Sequence, residues 1–339
     1  MMVNRLNLVV LDDYEGELAQ APAMTRLRAI TDVTILNHAI GAQDEQTLNN
    51  AQVLLALRER TTIDSQLIAR CPNLELILQT GGHAYHLDQT TATQRGVVVA
   101  LGRRVTMPPV VVPELVFGLM LGLVRQIYPL HAEMMRGGWP ETVGGALTGR
   151  TLGILGYGRH GRPVARLAEA FGMKVIAWAR STPVGTDEFG VEHLPLDVLL
   201  ARADIVSIHL RLSDESRGLI NRERLGKMKE SAFLINTSRG AIVDETALID
   251  ALQNGKLAGA GLDVFAVEPL PASSPLRTLP NVLLTPHVGW KVRAVLHEFV
   301  DIAADQLAAW LRGSLSKNEI LNPSAMAVER NRTGGMALS

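Results

Sequence analysis

Of the 339 residues only one, Cys71, is a cysteine, so no intramolecular disulfide can form and the usage suits a reducing compartment. An excess of either charge is also lacking: 33 Lys and Arg stand against 34 Asp and Glu, for a formal net charge of −1. Dense basic runs are absent and aromatics make up only 4%, which removes both the electrostatic footprint and the stacking platforms of a nucleic-acid binder. Long apolar runs are missing too. Residues 6–11 are broken off at once by Asp12 and Asp13, unlike the apolar region of a signal peptide. The oiliest segment, 110–124, contains Pro113 and Glu114 and is shorter than a bilayer span. It reads as a buried helix bridging two domains. A cytoplasmic protein with neither nucleic acid nor membrane as partner is expected.

What is present is an α/β rhythm in a chain long enough for two cores, 47% hydrophobic and 20% charged. Strand patterns at 6–11, 33–36, 53–57, 74–79 and 97–101 alternate with helical ones, Asp64 capping a helix that Pro72 stops. A second series, at 151–155, 174–178, 204–210, 232–237, 257–264 and 282–284, predicts a further sheet of about six strands. Asp244 is placed to cap the helix after it, and residues 293–311 form an amphipathic last helix.

The strand at 151–155 runs into Gly156, Gly158 and Gly161, a G-x-G-x-x-G turn followed by a helical pattern that Gly172 stops. Such a turn admits a tight bend at the first glycine, a pyrophosphate at the second and close helix packing at the third. The helix N-terminus then offers its N–H groups to the phosphates. Past the next strand, where a carboxylate would accept both ribose hydroxyls of NAD, stand Arg180 and Ser181. An arginine there favours NADP(H) and leaves NAD(H) usable; its alternatives are a surface charge or a stack on adenine.

Other polar residues follow apolar runs, where open α/β sheets gather ligands. In the first half these are Arg58, an anion holder or a solvated surface charge, and Gly81-Gly82, an amide nest or an ordinary turn. In the second half they are Arg239, Glu268 and His287, each by spacing alone a site residue or an ordinary loop residue.

These last three, in this order behind this glycine loop, resemble the D-isomer-specific 2-hydroxyacid dehydrogenases. The resemblance covers nearly the whole chain. It implies two doubly wound parallel-sheet domains, a Rossmann nucleotide domain (104–290) inserted into a flavodoxin-like substrate domain (1–103 plus 291–325), with a flexible tail (326–339). It implies a 2-oxo or 2-hydroxy acid held in the cleft, and a homodimer formed through the nucleotide domain and the arm carrying Trp139; no metal is expected. The family's catalytic Arg, Glu and His fall on Arg239, Glu268 and His287. A guanidinium fork binds a carboxylate and the adjacent carbonyl, an imidazole supplies the proton, and a carboxylate orients the imidazole. Cofactor contacts fall on Gly156, Tyr157, Gly158, Arg159, His160, Gly161, Arg180, Ser181, His209, Thr237 and Asp263, the last reaching the nicotinamide carboxamide. Substrate contacts fall on Arg58, Gly81, Gly82 and Arg239.

Departures from the family pattern are His160 in the glycine turn, His209-Leu210-Arg211 in place of His-x-Pro, and Val292 in place of Ser or Thr. His83, Tyr85 and His86 give the substrate loop an unusual aromatic and imidazole content, and Gly289 argues against formate as substrate. The alternative function is a nucleotide-sensing binding protein of the same fold with little turnover.

Overall fold

Two units make up the computed structural model, which describes residues 5–328: Met1–Met107 with Arg293–Ser339, and Pro108–Val292. In the first, strands β1 (Leu6–Val10), β2 (Thr31–Ile35), β3 (Val53–Ala56), β4 (Leu76–Gln79) and β5 (Val98–Leu101) form an all-parallel sheet ordered β2-β1-β3-β4-β5. Every residue of β3, β4 and β5 is buried, as expected of strands covered on both faces by helices. Asp64 caps the helix Ser65–Arg70 by accepting from the Leu67 N–H at 2.8 Å. Cys71 closes that helix inside the core, where burial pushes its thiol up to about 11, leaving it an inert packing residue. Helix Arg293–Leu311 packs within the same unit.

The second unit holds β6 (Thr151–Leu155), β7 (Lys174–Trp178), β8 (Gly185–Thr186), β9 (Glu192–His193), β10 (Ile205–Ile208), β11 (Phe233–Asn236), β12 (Gly259–Leu262) and β13 (Val282–Leu284). Their order is β13-β12-β11-β10-β6-β7-β9-β8. Eight strands replace the expected six, because β8 and β9 contribute two residues each and leave no apolar run to read. Asp187 holds their turn, accepting from the N–H groups of Phe189 and Val191 at 3.0 and 2.9 Å. The order reverses at β6, whose neighbours are β10 and β7, and such a switch point opens a crevice at the carboxyl ends of the strands.

The oily segment forms helix Pro108–Val124, but it does not bridge domains. It starts at the first residue of the second unit and packs on β11, β12 and β13 of that unit. Glycine makes the approach possible: a Cβ on Gly261 would stand 3.0 Å from the Leu119 Cβ, and one on Gly122 would stand 2.7 Å from Leu283 Cδ2. The helix then bends by 65° into Ile127–Met135, and among the described residues no single helix is long and apolar enough to cross a membrane. Of the expected tail, residues 329–339 lie outside the described residues, whereas Met326 belongs to the turn Pro323–Ala327.

Candidate active site

Strands β11, β12 and β13 are parallel neighbours, so the residues that follow them emerge on one rim. Glu268 Oε2 and His287 Nδ1 lie 2.7 Å apart there, although nineteen positions separate them in the chain. Glu268 is held by its other oxygen, which accepts from the Phe265 N–H at 2.9 Å. Burial works to raise its pKa, but the hydrogen bonds from His287 and Phe265, with the charges of His287 and Arg239, outweigh burial and bring it below the ordinary carboxylate value. An ionised carboxylate accepts only, so Nδ1 carries the proton of that bond and Nε2 is the nitrogen left for a substrate.

His287 has a φ of 54°, a left-handed conformation that costs a non-glycine residue roughly 1–2 kcal/mol. Asp263 holds it there. The Asp263 carbonyl accepts from the His287 N–H at 2.8 Å, Oδ1 accepts from Thr285 Oγ1 at 2.6 Å and the Val288 N–H at 2.8 Å, and Oδ2 accepts from the Gly289 N–H at 2.9 Å. Desolvation raises the pKa of this buried carboxyl, while the same hydrogen bonds pull it back. Both Asp263 oxygens are thus engaged by the loop that carries His287.

Arg239 follows β11 by three residues, and its charge reaches Glu268. Its guanidinium donates to the Ser238 carbonyl at 2.7 Å, and its own carbonyl accepts from Asn236 Nδ2 at 3.0 Å. Gly240 seats this loop, since a Cβ there would collide with the Phe265 carbonyl group. Beside it the Thr237 hydroxyl is buried without a hydrogen-bond partner among the described residues, and a buried polar atom left over in this way is ordinarily completed by a ligand or water.

At the switch point Gly156 has a φ of 99°, and a Cβ on it would lie 2.7 Å from the His209 carbonyl oxygen. A Cβ on Gly161 would collide with the carbonyl oxygen of Gly156, so that helix Gly161–Ala170 can lie against β6 only without one. Gly158 differs. Among the described residues nothing lies within 4 Å of where its Cβ would be, so their packing does not explain the glycine. Tyr157 turns its ring edge-on to His193 at 5.1 Å, with the Arg162 guanidinium 5.6 Å above it, and Arg159 is exposed. His160 precedes the helix, and His209, bonded through Nε2 to Ser207 Oγ at 2.8 Å, is pushed down to about 3 by desolvation and by the charge of His160. Arg180 and Ser181 are exposed past β7, and Arg180 Nη1 stands 3.2 Å from Glu215 Oε2.

In the first unit Arg58 also has positive φ, 56°. Its N–H donates to Thr80 Oγ1 at 2.7 Å, and its carbonyl accepts from Gln79 Nε2 at 3.0 Å. The guanidinium lies over Gly81, where a Cβ would collide with Nη1, so Arg58, Gly81 and Gly82 come together. Glu59 joins them, 3.4 Å from Arg58 Nε and 3.1 Å from His83 Nδ1, and the His83 ring stacks on Tyr85 at 4.7 Å. Three residues here went unread as site residues in the sequence: Glu59, Glu215, and Asp12, whose charge reaches His86 together with those of Glu59 and Arg58. Asp12, buried with a φ of 63°, directly follows an apolar run and carried the same signal as Arg58. Glu215 carried none, being seven residues beyond the end of β10.

A glycine-turn nucleotide unit with a histidine–carboxylate pair and an arginine at one sheet rim defines a dinucleotide-dependent oxidoreductase. Residues 117–289 match the model of the D-isomer specific 2-hydroxyacid dehydrogenase NAD binding domain. The chain is 36% identical over 270 residues to the glyoxylate reductase of Thermococcus litoralis, covering 76% of this chain and 80% of that protein. It is 36% identical over 292 residues to glyoxylate/hydroxypyruvate reductase B of Yersinia pestis, covering 82% and 89%. Among solved structures, D-lactate dehydrogenase from Aquifex aeolicus complexed with NAD and lactic acid superposes with a TM-score of 0.77 at 26% identity, covering 93% of this chain and 98% of that one. The chain belongs to the D-isomer-specific 2-hydroxyacid dehydrogenase family, with a nicotinamide cofactor and small 2-oxo or 2-hydroxy acids as its chemistry. These relatives are named as enzymes, which does not favour the nucleotide-sensing alternative.

Proposed function

We propose that the protein reduces small 2-oxo acids such as glyoxylate or hydroxypyruvate to D-2-hydroxy acids, with NADP(H) preferred and NAD(H) usable. The observation that carries this reading is the 2.7 Å contact between His287 Nδ1 and Glu268 Oε2, with the Arg239 charge beside it. When bound, the cofactor supplies a hydride to the carbonyl carbon and leaves oxidised. Arg239 binds the substrate carboxylate and polarises the C=O, and the protonated His287 gives its Nε2 proton to the oxygen as charge builds there. Glu268 stabilises the imidazolium, and the reverse reaction returns the proton by the same route. Within the first unit, Arg58 and the Gly81-Gly82 amides form an anion-binding cluster of their own. Initial rates with glyoxylate, hydroxypyruvate, pyruvate and a bulky aromatic 2-oxo acid test the substrate class; turnover confined to the bulky acid would refute it.

Gly158, the Thr237 hydroxyl and the ends of β6 and β10 would hold the pyrophosphate of a dinucleotide, and Arg180 would hold a 2′-phosphate. The two later glycines separate cleanly by mutation. Gly161→Ala should destabilise the fold by about 1–3 kcal/mol through overpacking, read as a lower Tm. Gly158→Ala should leave stability within about 0.5 kcal/mol yet weaken NADPH binding about tenfold, or about 1.4 kcal/mol; undiminished binding would place the pyrophosphate elsewhere. Arg180→Asp should shift preference from NADPH toward NADH, and an unchanged ratio would remove Arg180 from cofactor choice.

A homodimer and a cytoplasmic setting belong to the same proposal. Met135, at the end of the bent helix, and Trp139 and Val143, on the segment after it, are 75%, 82% and 94% exposed, a set of apolar side chains better suited to a subunit contact than to water.

A further inference from the structure

Strands β7 and β10 flank β6, and the segments leaving them meet in an ion pair, Arg180 Nη1 to Glu215 Oε2 at 3.2 Å. Both side chains are open to solvent, 71% and 67% exposed, yet the carboxylate is not placed at random. Ser213 Oγ donates to the same Glu215 oxygen at 2.7 Å. The loop that carries Glu215 is braced in turn: the Ser213 N–H donates to Ser216 Oγ, and the buried Ser216 hydroxyl donates to the Arg211 carbonyl, at 2.8 and 2.7 Å. A fixed anion therefore stands against the guanidinium that follows β7. The hydrogen bond from Ser213, the backbone and the Arg180 charge keep the Glu215 carboxyl below its ordinary value, so it is ionised at neutral pH.

We propose that Glu215 is a specificity-determining residue for the cofactor: its carboxylate occupies on Arg180 the place a 2′-phosphate would take. A 2′-phosphorylated nucleotide binds by displacing Glu215, and its negative charges then lie beside the displaced carboxylate. An unphosphorylated nucleotide leaves the pair intact. Glu215 thus lowers affinity for NADPH selectively and keeps the site open to NADH. This rests on the reading of Arg180 given above, and the two can fail separately.

The test is calorimetric titration of the full-length protein with NADPH, NADH, 2′,5′-ADP and 5′-ADP, without substrate. Glu215→Gln should tighten NADPH and 2′,5′-ADP about three- to tenfold at low ionic strength, the size expected for releasing an exposed ion pair and a like charge. NADH and 5′-ADP should change less than about twofold, and added salt should shrink the NADPH gain. In an Arg180→Ala background the same substitution should lose most of that gain, because the two residues act through one contact. Equal tightening of phosphorylated and unphosphorylated ligands, or none, overturns the role of Glu215. If Arg180→Ala alone leaves the NADPH-to-NADH ratio unchanged, the Arg180 reading has failed instead. If Arg180→Ala collapses the ratio but Glu215→Gln does not raise it, only the role of Glu215 is lost.

Discussion

Replacing His287 with alanine should lower kcat by roughly a hundred- to ten-thousand-fold, the range for losing a general acid, while NADPH binding measured without substrate persists. Among the described residues the imidazole is held by one hydrogen bond, Nδ1 to Glu268 Oε2 at 2.7 Å, and the loop backbone is held by Asp263 rather than by the ring. Truncating the ring therefore removes the proton donor and leaves the loop's hydrogen bonds in place. A residual rate comparable to wild type would remove His287 from the mechanism. Loss of NADPH binding together with turnover would show a disturbed fold rather than a missing acid, and circular dichroism of the variant separates these results.

The second large effect is expected at Arg239. Arg239→Ala should reduce kcat/KM by about a hundred- to a thousandfold, as for removal of a donor that stabilises charge on the reacting oxygen. Arg239→Lys should recover little of it, because an ammonium cannot reproduce the planar fork that spans a carboxylate and the neighbouring carbonyl. The loss should appear in both KM and kcat: the carboxylate contact is made in the ground state, whereas polarisation of the carbonyl strengthens as hydride arrives. Full rescue by lysine would reduce Arg239 to a general positive charge. A change confined to KM would place it on the carboxylate alone.

Much of this protein is written locally and is legible in the sequence. The strands 151–155 and 174–178 and the helix Arg293–Leu311 lie where their patterns put them, and Asp64 and Asp244 cap the helices they precede. Parallel strands covered on both faces give short apolar runs, and the polar residues just past those runs are forced to one rim. That is why Arg239, Glu268 and His287 can be placed on one rim although they are far apart in the chain, whereas their reading as a set came from the family resemblance.

Other features depend on contacts made only after folding. The two-residue strands β8 and β9 owe their pairing to a turn held by Asp187, not to a run of residues. Helix Pro108–Val124 reads as a linker from its oiliness and its position, yet Gly122 and Gly261 draw it onto β12 and β13. The engagement of both Asp263 oxygens by residues 285–289 was equally invisible, as was the meeting of Arg180 with Glu215. Such pairings between distant loops leave no periodicity behind.

Proton transfer by His287, with the ionised Glu268 beside it, is the central claim, and the pH dependence of glyoxylate reduction and of glycolate oxidation tests it most directly. A depressed carboxyl keeps its stabilising contribution above its unfolded value and loses it as pH falls through its folded value, so Glu268 stays ionised across the neutral range. Reduction needs the imidazole protonated and should fail on the alkaline side; oxidation needs it neutral and should fail on the acid side. In Glu268→Gln, which keeps a hydrogen-bond acceptor but removes the charge, both limbs should move toward acid. Identical pH profiles in the two directions, or limbs that do not move in Glu268→Gln, would contradict the account.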